Sequence, residues 1–243
     1  MQVYNMEKSM STLPLPSTPV YELTLPVSGQ KIKYRPFLVK EEKVLLIANE
    51  TESLEQANLA IKNVVDNCTF NKLNIDKLPL ADIEYLFIML RAKSVGEEVV
   101  GEITCSGCEA KIDYTINLEK VGVNQPNKMD PNVRISEDTV ITMKYPSMTV
   151  ARGLDDKEGI DMALDVTASC VEMITIGDAV HEADNLARGD IITYLENLSK
   201  KQLEMISNWM ETIPVVLYED DFKCPKCGHI NPIKLEGIGS FFS

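Results

Sequence analysis

The sequence predicts an α+β fold: helical domains joined to an N-terminal β-hairpin and to a split, four-cysteine β element of zinc-ribbon type. Three observations carry this expectation. Apolar residues recur at helical spacing over residues 39–50, 53–68 and 79–94, and again over much of 155–213. Strand-like runs fill 20–37, 97–121 and 215–235. Two of those regions enclose a Cys-x-x-Cys motif.

Bulk composition sets the frame. The chain has 243 residues, 44% apolar and 25% charged, enough for one large or two small cores. Only 6% is aromatic, so the core is expected to be aliphatic. The formal charge of −13 repels phosphate backbones and anionic membranes and suits protein partners. No apolar run is long enough to span a bilayer. The stretch MQVYNMEKSMSTLPLPSTP has no basic start followed by an apolar run, so a secretory signal is not expected. The expected compartment is the cytosol where the chain is made, and there the six cysteines stay reduced.

Residues 1–19 are polar and proline-rich and read as an extended arm. Over residues 20–37, Leu23 and Leu25, then Ile32 and Tyr34, alternate with polar residues around Ser28-Gly29, the pattern of a hairpin. A first helix over 39–50 offers Val39, Val44, Leu45 and Ala48 to a core. Ser53 caps a second, with Gln56 at the capping-box position and Leu54, Ala57, Ile61, Val64 and Val65 as its apolar stripe. A third starts near Pro79 and buries Ile83, Leu86, Phe87 and Leu90. Together 20–96 reads as a hairpin-plus-helix domain.

Residues 97–120 carry Val100, Ile103, Ile112, Tyr114, Ile116 and Leu118 on two strands. Residues 122–136 read as loop, and 138–145 as a strand ending before Pro146. Helix is expected over 155–213, the last two segments separated near Ser199, itself a cap, and closed by Pro214. The segment 121–214 would then be an insertion between 97–120 and 215–235, with 236–243 as an apolar tail.

Cys105-Ser106-Gly107-Cys108 and Cys224-Pro225-Lys226-Cys227 have identical spacing, each between strand-like runs. Such a motif at a hairpin tip points two sulfurs the same way. Two facing tips supply the four thiolates of a closed structural Zn²⁺ site. The long gap between the pairs weakens the case, since compact ribbons keep their pairs ~15–20 residues apart. His229 replacing one cysteine, loose thiols and a redox pair are the alternatives. Against redox chemistry, neither motif opens a helix that would lower a thiol pKa. Lys111, Lys223 and Lys226 are candidates to offset the excess negative charge. Cys68 and Cys170 lie in helical runs and read as small core residues.

No phosphate-binding loop, dinucleotide fingerprint or nucleophile elbow is present. His181 sits among Asp178, Glu182 and Asp184, where a second metal is conceivable but a solvated acidic loop is the plainer reading. No enzyme and no small-molecule substrate are expected. A zinc-ribbon nucleic-acid adaptor is the rival class, but Glu219, Asp220, Asp221 and Glu236 oppose the lysines near the second motif.

Three stretches carry a resemblance: LPLPSTPVYELTLPVSGQKIKYRPFLVKEEKVLLIANE, then RAKSVGEEV leading into the first Cys-x-x-Cys, and finally LEGIGSFFS. They resemble the T4-like phage baseplate family, which includes the baseplate hub subunit and the hub assembly catalyst. The resemblance implies a non-enzymatic role in building the central hub of a contractile tail. Its partners would be other tail and hub proteins, and its location the assembling or finished virion. Ile238, Phe241 and Phe242 in the apolar tail are candidate anchors on such a partner, or else fold back onto their own domain.

Overall fold

The computed structural model describes residues 16–50, 53–124, 130–151 and 158–241. Most of the arm expected over 1–19 lies outside them. The first hairpin pairs β1 (Tyr21–Thr24) with β2 (Lys31–Tyr34), Leu23 standing opposite Ile32. Asp82 closes its turn from a distance. The buried carboxylate accepts the Val27 and Ser28 N–H groups at 2.8 and 2.9 Å, satisfying donors the turn itself leaves free.

Helices α1 (Val39–Asn49), α2 (Leu54–Cys68) and α3 (Leu80–Ser94) follow. Ser53 caps α2 by accepting the Gln56 N–H, as its sequence predicts. In α1 the expected stripe does not hold as a whole: Val39 and Val44 are exposed, while Leu45 packs against a core cluster. Polar contacts anchor this helix instead. Glu41 is buried in its first turn, takes the Leu38 N–H at 2.8 Å and pairs with Arg35 at 2.9 Å. Helix α3 is buried nearly all round, which explains its continuous apolar sequence. Ile83, Leu86, Phe87 and Leu90 face the first hairpin and α2; Ile88, Met89 and Ala92 face the cysteine-bearing strands.

Those strands form two hairpins. β3 (Glu98–Thr104) pairs with β4 (Lys111–Asn117). Leu118, read from sequence as part of β4, lies in a short 3₁₀ turn over Leu118–Lys120. The chain then forms β5 (Gly122–Asn124), where a loop was expected. Strand β5 has a partner far along the chain: it lies against β10 (Val215–Lys223), Val123 opposite Val216. Strand β10 in turn pairs with β11 (Ile230–Glu236), so the order is β11-β10-β5. Thus β5 carries the chain of the β3–β4 hairpin onward into the sheet of β10 and β11.

Between them, β6 (Asn132–Arg134), β7 (Thr139–Met143), β8 (Val171–Ile176) and β9 (Ala179–Glu182) make a four-stranded antiparallel sheet in chain order. Helices α4 (Gly159–Ser169), α5 (Arg188–Glu196) and α6 (Lys200–Met210) pack with it around Ile141, Ile174, Ile191, Leu195, Ile206 and Trp209. Ser199 caps α6 through a capping box with Gln202, as expected. The helical reading of 155–213 is corrected at its centre. Val171–Ile176 is β-branched at four of six positions, and Gly177 takes φ 57° as the first residue of a two-residue turn into β9. His181 is therefore on a strand and not in an acidic loop.

Candidate metal centre

Each Cys-x-x-Cys sits at the tip of its hairpin, and the two tips have the same backbone. The Cys105 N–H donates to Ala110 O at 2.9 Å and the Glu109 N–H to Cys105 O at 2.8 Å. In the second tip the Cys224 N–H donates to His229 O at 2.8 Å and the Gly228 N–H to Cys224 O at 2.9 Å. The turn requires a left-handed residue just after the second cysteine. Gly228 meets that at φ 77° without penalty, while Glu109 does so at φ 58° against its own preference.

The facing tips bring Cys105, Cys108, Cys224 and Cys227 together, their four sulfurs all within 4.8 Å of one another. Cys105 Sγ lies 3.7 Å from Cys227 Sγ, and Cys108 Sγ 3.8 Å from Cys224 Sγ. A tetrahedron with Zn–S bonds of ~2.3 Å has sulfurs about 3.8 Å apart, so these two cross-hairpin pairs already stand at ligand spacing. No bond joins the sulfurs; all four cysteines are free thiols. Each tip contributes one buried sulfur, Cys105 or Cys224, and one exposed, Cys108 or Cys227.

Electrostatics favours thiolate at the buried positions. Burial pushes the Cys105 thiol up, but the Gly107 N–H at 3.4 Å and the Asn231 amide at 3.5 Å outweigh it and hold the thiol at about 6. Burial likewise raises the Cys224 thiol, and the N–H groups of Cys227 and Lys226 bring it below the usual value. Cys227 goes the other way. The His229 N–H lowers it, yet desolvation and three neighbouring sulfurs prevail and drive it up to about 12. Lys111, expected to offset the charge, is instead held by Glu102 at 2.7 Å.

Three supports were not recognised from sequence. Asn231, buried in β11, joins the tips: its Oδ1 accepts the Ser106 N–H at 2.9 Å and the Ser106 hydroxyl at 3.0 Å, while its Nδ2 faces Cys105. Gly107 lies beneath the His229 ring, where any side chain would collide. His229 therefore packs against the opposite tip while four cysteines make up the cluster. Deeper in, Tyr114 of β4 and Tyr218 of β10 meet hydroxyl to hydroxyl at 2.8 Å, and both donate to Asp220, at 2.7 and 3.0 Å. No signal in the sequence pointed to Asn231, since a lone Asn in a strand gives no distance to Ser106.

The remaining predicted positions fall elsewhere. Phe241 is buried, 2% exposed, against α3 and β10, and Ile238 packs half-buried beside it. For these two residues the tail folds back rather than standing out as an anchor. Phe242 lies outside the described residues. Cys68 and Cys170 are buried apart from the cluster, and burial lifts each thiol to about 11. His181 is exposed on β9 and belongs to no metal-ligating group among the described residues.

Compared with known proteins, residues 18–243 match the family described as T4 bacteriophage base plate protein. No curated protein and no solved structure matches the chain.

Proposed function

This chain belongs to the T4 bacteriophage base plate protein family, and from that premise we propose that it is a non-enzymatic structural or assembly protein of the tail hub, stabilised by one structural zinc. The match across 18–243 carries the tail role. The four-sulfur cluster supports the metal. Zinc is the preferred ion because a closed set of four thiolates suits a soft, redox-inert dication and leaves no open position for substrate. In this reading residues 97–120 and 215–235 act as one module, and the ion ties its halves together. A typical apparent binding free energy of ~10–16 kcal/mol is comparable to the whole stability of a domain.

Elemental analysis of purified protein is expected to give about one zinc per chain, with Cys105→Ser and Cys224→Ser losing both metal and folded protein. A folded, metal-free preparation would remove the zinc. Pull-down from infected cells and analysis of purified virions test the hub role: the chain should co-purify with other tail proteins. Retention instead on DNA or RNA in a salt-sensitive way would favour the adaptor reading.

A further inference from the structure

The four-stranded sheet ends at β9, and among the described residues no strand pairs with the outer edge of β9. The strand is exposed along its whole length. Its register sets His181 opposite Ile174 and Ala179 opposite Ile176, so these four side chains share one face of the hairpin. Between that face and α5 runs a groove of about 250 Å³, closed by Leu186, Asp190 and Tyr194. Its lining is mostly apolar, yet Ile176 is 39% exposed. Acidic side chains flank this edge: Asp190 lines the groove, Glu182 stands on the opposite face of β9 and Asp178 is in the turn, all exposed. Among the described residues, Lys144 is directed toward Asp184 at 3.7 Å and Arg188 inward to Asp165.

We propose that β9 is a docking edge that takes an extended segment of a partner protein as a fifth strand, apolar at alternate positions and basic at those between. This rests on the reading of the chain as an assembly protein and names where on it a partner would sit. Strand addition pairs the free backbone groups of the edge and drops every second side chain onto the face below. Here that face is the groove, which takes the apolar residues. The intervening residues lie on the side of Glu182, beyond Asp178, where positive charge is favoured. A second copy of this chain is a poor occupant, because its own β9 would set Glu182 and Asp178 against their counterparts.

The test uses the full chain and a fluorescent peptide of alternating Lys and Val, read by anisotropy, with amide exchange at Val180 as a local report. The Lys/Val peptide should bind and protect that amide. Its fully N-methylated analogue and an alternating Glu/Val peptide should not. Ile176→Asp and Asp190→Lys should each weaken binding by about tenfold or more, a loss of about 1.4 kcal/mol. No binding of the Lys/Val peptide would overturn the proposal. So would equal binding of the N-methylated analogue, or indifference to both substitutions, since either would mean diffuse charge attraction only. Such a failure leaves the family membership and the cysteine cluster untouched, because neither β9 nor α5 contributes to the cluster.

Discussion

Gly107 and His229, on opposite hairpin tips, approach so closely that a β-carbon on Gly107 would stand 2.8 Å from both Cβ and Cγ of His229. The contact is to the root of the imidazole, which cannot swing away without moving its backbone. Gly107→Ala is therefore expected to cost about 1–3 kcal/mol, the range for overpacking. It should also weaken metal retention, because the tips must part. Urea denaturation and competition with a zinc chelator measure the two effects. His229→Gly in the same chain should restore much of both, and a double mutant no better than Gly107→Ala alone would contradict the packing argument.

Asn231 links the tips by hydrogen bonds rather than by contact. Asn231→Ala strands the Ser106 N–H and removes a donor from Cys105, an expected loss of about 1–3 kcal/mol. Asn231→Asp keeps the acceptor for Ser106 but sets a negative charge beside four sulfurs. It should hold zinc more weakly than Asn231→Ala does, as measured by chelator competition. The reverse order would mean that the acceptor for Ser106 outweighs the added charge.

The Tyr114–Tyr218–Asp220 triad joins β4 to β10 below the cluster. Tyr114→Phe and Tyr218→Phe should each destabilise by about 1–3 kcal/mol, with a coupling of about 0.5–3 kcal/mol in the double-mutant cycle. Strict additivity would show that the shared carboxylate does not connect them.

Glu41 gives a pH signature away from the cysteine cluster. Burial pushes its carboxyl up, but Arg35 and the Leu38 N–H pull harder, and the net shift is downward. A depressed folded value means stability that is complete above the unfolded value of ~4.3 and lost as pH falls through the folded one. Glu41→Gln should therefore flatten the dependence of unfolding free energy on pH below about 5. At neutral pH it should cost about 3–5 kcal/mol by leaving Arg35, 12% exposed, without its charge partner. An unchanged acid limb would exclude this pair as its source.

What the sequence disclosed depended on how local the determining physics is. The cysteine spacing, the Ser53 and Ser199 caps and the turn at Gly29 are settled within a few residues, and each was readable. Helix α3 was legible as a helix but not as one buried on both sides, since periodicity shows the stripe and not what lies behind it. Strand β5 was not legible: three residues, Gly122–Asn124, form a strand only because β10 lies beside them. The hairpin β8–β9 could have been found, for VEMITI-GD-AVHE carries a β-branched run and a glycine turn, but the helical run of α4 continues into it without a proline. Val39 and Val44 show the opposite limit, because helical apolar spacing does not by itself imply burial where an ion pair anchors the helix.

The separation of Cys108 from Cys224 by 116 positions has a temporal meaning. During synthesis the first hairpin emerges with two sulfurs and waits through α4, α5 and α6 before the second pair is made. Any product that stops short of residue 224 lacks half its ligands. The complete four-sulfur set therefore forms only once nearly all of the chain has been made.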